Sequence, residues 1–174
     1  MAKRIPKERP DWLDVPKVVD IYSVSDCVND TLAVYTPDWT PNGYWMFDSP
    51  ATIRAYARAK NIDICDVKLF FYESHESEFD GQDWVPVLPD ASIETNVLMP
   101  STKHLEGFDV VTFCDGPNSH SPLSCNSVAK HVETNEHCLF ETLDDAVAAL
   151  TDEAFDGSEP GPYRIYAVYS VPWL

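Results

Sequence analysis

Apolar and polar positions divide the chain into short blocks, and the clearest lies near the C-terminus. The triplet Cys138-Leu139-Phe140 runs into Thr142-Leu143-Asp144-Asp145, after which Ala146, Val147, Ala149 and Leu150 recur at helical spacing. Thr142 is placed as an N-cap whose oxygen accepts from the backbone N–H of Asp145. Gly157, Pro160, Gly161 and Pro162 then break the pattern, which predicts a helix over about 143–154 and a strand over Tyr163–Val171.

A similar block stands earlier. Ser49-Pro50 suits a cap followed by a first helical residue, and Ile53, Tyr56 and Ala57 share one face. Asn61 suits the left-handed stop, with Ile62 packing back and Val67–Tyr72 reading as a strand. Setting Phe47 on Phe140 puts Ser49 on Thr142, Ile53 on Ala146, Lys68 on Arg164 and Leu69 on Ile165. Upstream, Val19–Val24 matches Phe108–Phe113 in apolar pattern and sets Asp20 on Asp109, each of which either faces solvent by alternation or pairs with another group. The pattern predicts an internal duplication.

The rest of the chain fits around these blocks. Residues 1–17 read as a basic arm that orders only if Trp12 and Leu13 dock on the body. Val18–Val24, Thr31–Tyr35 and Tyr44–Phe47 read as strands, and Thr36–Gly43 as a turn. Glu73–Gly107 shows no helical pattern and is too long for an ordinary connection, which predicts an acidic loop followed by an extended segment. Ser124–Val132 has room for one or two helical turns. The expectation is an α+β protein of two similar β-rich halves, each a mostly antiparallel sheet with one main helix. Its parts are an arm (1–17), a first β-β-β-α-β half (18–73), an acidic connecting segment (74–107) and a second β-α-β half (108–174), forming one compact unit.

Composition narrows the function. The 174 residues are 44% apolar and 12% aromatic, enough for a sizeable core. Twelve basic against 29 acidic residues give a formal charge of −17, and no Lys or Arg occurs from His131 to Tyr163. Such a surface disfavours direct contact with nucleic acid or an anionic membrane and favours a cationic partner. No apolar run is long enough to span a bilayer. Five cysteines at irregular spacing suit reduced thiols, hence a cytoplasmic protein.

Candidate chemistry is thin. Cys114, His120, Cys125, His131, His137 and Cys138 gather zinc-type donors within a short span, but their spacing lacks the paired-ligand turns of a zinc knuckle. No metal and no cofactor are expected, and Cys138 should point inward beside Phe140. Cys125 as a nucleophile, with His120, His131 or His137 as base and Asp115 or Asn126 orienting it, is the arrangement an enzyme would use. No phosphate-cradling or nucleophile-elbow motif is present. The expected function is therefore a non-enzymatic acidic binding protein, inhibitory or immunity-like, recognising the basic surface of a protein such as a nucleic-acid-binding protein or a toxin. The alternative is a thiol-based or metal-assisted enzyme built on the Cys/His cluster. Glu76, Glu78, Asp80, Glu133, Glu136, Asp152 and Glu153 supply the charge for binding. Trp39 and Trp84, with Tyr35 and Tyr44, supply anchors.

Overall fold

A computed structural model describes residues 1–5, 10–25, 30–31 (backbone only), 46–88, 97–113 and 119–173. In chain order these form β1 (Ala2–Arg4), β2 (Asp30–Thr31), helix α1 (Pro50–Lys60), β3 (Val67–Phe79), β4 (Trp84–Pro86), β5 (His104–Thr112), the short helix α2 (Pro122–Cys125), a 3-10 turn (Val128–Lys130), helix α3 (Leu143–Thr151) and β6 (Tyr163–Val171). The strands make one sheet in the order β2-β1-β3-β6-β5, with β4 also on β3. All the pairings are antiparallel. The protein is α+β, and its two expected halves share one sheet instead of each building its own.

One face of the sheet receives both helices. α1 buries Ile53 and Tyr56 beside Val67 and Leu69, while α3 buries Ala146 and Leu150 in the cluster that holds Val110, Phe140, Phe155 and Ile165. The other face is covered by coil, through Tyr22, Val24 and Leu139 on Phe70, Val111, Tyr166 and Val168. Both helices start as the caps predict. The Ser49 hydroxyl accepts from Thr52 N, Thr142 and Asp145 form a reciprocal capping box, and Asn61 takes φ 54° at the end of α1.

Several elements depart from the sequence pattern. Val18–Val24 forms no strand, although Val18, Ile21, Tyr22 and Val24 are buried. Burying each large apolar side chain contributes roughly 1.5–3 kcal/mol, so the segment is held without a full ladder. Val19 N and Asp20 N donate to Glu136 O, and Tyr22 N donates to His137 O. The proposed match of 19–24 with 108–113 therefore fails, and neither aspartate faces solvent freely: Asp109 is fully buried and Asp20 is ion-paired. From the expected arm, Ala2–Arg4 enters the sheet beside β3, and Leu13 is buried while Trp12 stays exposed. β3 continues past Tyr72 to Phe79 because β6 and then β4 pair with its acidic end. α3 stops at Thr151, earlier than expected, where Asp152, Glu153 and Asp156 would place negative charge at the negative end of the helix. Tyr163–Val171 is a strand as expected. Met46 and Phe47 are not in a strand, and the expected strand residues 32–35 and 44–45 lie outside the described residues.

Gly107 fixes the outer edge of β5. It has φ +144°, and a Cβ there would lie 2.6 Å from Phe140 O and 2.8 Å from Leu139 Cβ. Its absence lets Phe108 and Phe140 exchange backbone hydrogen bonds of 2.9 Å each way. Gly107→Ala should therefore cost roughly 2–6 kcal/mol of folding stability, strain plus overpacking. Gly157→Ala, at φ +83° with nothing within 4 Å of the new methyl, should cost only about 1–2 kcal/mol. Denaturant unfolding of both variants tests this, and equal losses would contradict the packing account.

Candidate functional site

A groove of about 510 Å³ lies between the start of α1 and the middle of β3. Its walls include Phe47 and Ile53 from the α1 side, Phe70 and Tyr72 from β3, Tyr166 from β6, and Val97 and Leu98. Leu98 is 85% exposed at the mouth. Asp48, Glu73 and Glu76 also line the groove, and Arg164 is the one Lys or Arg among its described walls. Arg164 is neutralised by Glu78, Nε to Oε2 2.6 Å, and Glu73 holds Lys103 at 3.0 Å.

Beneath the coil-covered face lies a polar core. Lys3 is fully buried and its ammonium donates to Ser25 O at 2.6 Å and to Ser23 O. Asp109 Oδ2 accepts from Val24 N at 2.7 Å and from the Ser121 hydroxyl. Its other oxygen, Oδ1, has no hydrogen-bond partner among the described residues. Burial pushes the Asp109 carboxyl up to about 6, against the pull of the Ser121 and Val24 bonds and the Lys3 charge. Burial, aided by Asp109, pushes the Cys138 thiol up to about 12. Cys138 thus packs inward with Phe140 in one core cluster, as a small apolar group unsuited to nucleophilic work.

A second cluster clasps the coil to the sheet edge. His137 Nδ1 lies 2.5 Å from Asp20 Oδ1, and its ring stacks on Tyr22 with centroids 4.0 Å apart and planes 5° from parallel. Its Nε2 lies 3.6 Å from Glu106 Oε2 and 3.7 Å from Glu136 Oε1. Lys68 bonds the Tyr22 hydroxyl and stands 3.6 Å from Asp20 Oδ2. Four separate segments meet there, which explains why Val18–Val24 is ordered without being a strand.

The residues singled out from sequence scatter. Glu76 lines the groove and Glu78 binds its Arg164. Trp84 packs on Phe79 at 5.4 Å and edge-on to His75 at 6.1 Å. Asp80 is a turn cap, accepting from Asp83 N and Gln82 N, bonds that hold its carboxyl below the usual range. Glu133 pairs with Lys17, Glu136 sits beside His137, and Asp152 and Glu153 are exposed beyond α3. Cys125 Sγ lies 3.3 Å from Ser25 Oγ, His120 Nδ1 faces Glu159 Oε1 at 3.9 Å, and His131 is exposed. No group of three His, Cys, Asp or Glu side chains is arranged to hold a metal ion among the described residues. Trp39, Tyr35, Tyr44, Cys114 and Asp115 lie outside the described residues. Sequence reasoning missed the groove and the Asp20–His137 clasp, because both join segments far apart in the chain. Comparison with family models, curated proteins and solved structures finds no match for this chain.

The Asp109 shift carries a pH signature. Its folded value, about 6, lies above the ordinary 3.8, so the folded protein holds this proton more tightly than the unfolded chain. The resulting stabilisation is full below about pH 4 and is lost as pH rises through 6, a span of roughly 3 kcal/mol. Asp109→Asn keeps the shape and removes the titration. Urea midpoints from pH 4 to 7 should show the variant gaining on the parent protein by roughly that amount. A pH-independent difference would contradict it.

Proposed function

We propose that the protein is a non-enzymatic acidic binding protein that recognises a basic protein surface, in an inhibitory or immunity-like role. The observation that carries this reading is how the charges are spent. Arg4, Lys17, Lys68, Lys103 and Arg164 are each ion-paired with an acid of the same chain, and Lys3 is buried. Glu141, Asp144, Asp152, Glu153 and Asp156 stay exposed in a stretch without Lys or Arg. α1, by contrast, carries Arg54, Arg58 and Lys60 and no acid. A strong negative field steers a cationic partner and speeds encounter more than it deepens affinity. The same reading keeps an ancestral duplication of the α1-β3 and α3-β6 units. Its support is that each helix is followed by a strand and that these two strands pair with each other at the centre of the sheet.

Affinity capture on the immobilised protein at about 50 mM and about 500 mM salt tests the reading, because exposed charge contacts are screened between these values. Partners held at low salt should be basic and released at high salt. The combined variant Glu141→Gln, Asp152→Asn, Glu153→Gln, Asp156→Asn should fold normally and hold them less well. Its stability should stay level or rise by up to about 1 kcal/mol, since three of the removed charges follow the C-terminus of α3. Retention without a basic bias, or unchanged by the variant, would overturn it.

A further inference from the structure

The tripeptide Phe-Asp-Gly occurs twice, at 79–81 and at 155–157. In both copies the phenylalanine is buried in the same core cluster and the aspartate is exposed. Both glycines have positive φ, +105° at Gly81 and +83° at Gly157, with nothing within 4 Å of where a Cβ would stand. Neither glycine N–H donates a hydrogen bond among the described residues. At an Asp-Gly bond a chain can react with itself, because the glycine nitrogen has no side chain beside it and can attack the carboxyl carbon of the preceding aspartate. The two sites present the same nucleophile, equally accessible.

They differ at the carboxyl group. Asp80 Oδ1 accepts from Gln82 N at 2.9 Å and from Asp83 N at 2.8 Å. Those bonds pin the carboxylate over its own turn and favour the ionised form, from which no hydroxyl can leave. Asp156 carries no such restraint. Its backbone N–H donates to Glu153 O at 3.1 Å, and among the described residues no donor holds its carboxylate.

We propose that Asp156 is a site of spontaneous isomerisation to isoaspartate, and that the turn at Asp80 protects the other copy. Gly157 N bonds to Asp156 Cγ, and one water leaves, made from the carboxyl hydroxyl and the amide hydrogen. Holding both groups in one chain makes this step intramolecular. The resulting five-membered succinimide then takes up water. Addition at Cγ restores aspartate, whereas addition at the main-chain carbonyl breaks its bond to nitrogen and leaves the chain running through Cβ. No oxidant or cofactor enters, and the mass is unchanged. The product keeps its negative charge but lengthens the backbone by one carbon directly after Phe155, whose ring packs on Tyr163 at 5.7 Å and on Phe140 at 6.4 Å. Asp156 is one of the exposed acids of the binding surface proposed above, but its chemistry does not depend on that surface.

Incubating the intact protein at neutral pH and physiological temperature in water enriched in oxygen-18 tests this, because each succinimide that opens takes up one solvent oxygen. Peptide mapping should show label at Asp156, with an isoaspartyl form of the same peptide separating from it chromatographically. Label at Asp80 should lag by at least about tenfold, the factor that one hydrogen bond to a charged group represents. In concentrated urea the two rates should converge, because the reacting tripeptides are identical. Gly157→Ala, tolerated by the open space there, should slow the reaction at Asp156 severalfold and leave Asp80 as it was. No label at Asp156, equal labelling of both sites in the folded protein, or faster labelling at Asp80 would overturn the proposal. So would a difference that persists in urea, since sequence and not fold would then be its cause, or a rate at Asp156 indifferent to Gly157→Ala.

Discussion

The pairing of β3 with β6 is the interaction on which the rest depends. These strands run antiparallel from Leu69↔Val171 to Phe79↔Tyr163, and every other strand attaches to one or the other, directly or through β1. Both helices lie on one face of this ribbon, and coil seals the other. β6 pairs with β3 along most of its length, with an irregularity between Ser74 and Glu78, while among the described residues β1 and β4 meet the other edge only near its two ends. The groove lies beside the middle of that edge.

Burying that ribbon on both faces brings a polar cost, which is concentrated around Lys3 and Asp109. A buried ammonium must be surrounded by acceptors, and Lys3 finds the carbonyls of Ser23 and Ser25. Asp109 in turn accepts the backbone N–H of Val24. Together these bonds hold the ends of Ser23–Ser25 against the sheet, so the coil is fixed by polar contacts that only one conformation satisfies. Asn135 does the same for the neighbouring segment, donating to Glu106 O and accepting from His137 N and Leu139 N. Coil segments are thus specified here as tightly as ladders specify strands.

Much of the local structure was legible in the sequence. Ser49, Thr142 and Asn61 announce their helix ends because capping chemistry is local, and Tyr163–Val171 announces its strand by apolar run and punctuation. Val18–Val24 misled because its apolar pattern reflects burial against β5 and β6, not a ladder of its own. The acidic end of β3 hid because Glu73, Glu76 and Glu78 look like a solvated loop until Lys103 and Arg164 arrive from elsewhere in the chain. The groove was illegible for the same reason, since its walls come from α1, β3, β6 and the segment of Val97 and Leu98, far apart in the chain. Acidity was plain from composition, and its concentration in a stretch without Lys or Arg, His131 to Tyr163, from the sequence itself.

Amide hydrogen exchange along β3, read residue by residue by NMR on the unliganded protein, tests the half-open strand most directly. Phe71 and Glu73 direct their N–H groups to β6 and should exchange slowly, near the rate set by global unfolding. Tyr72 and Ser74, between them and on the edge where no strand pairs with them among the described residues, should exchange orders of magnitude faster. Slow exchange at all four positions would mean that the edge is already covered, and the account of β3 as an open strand would be wrong.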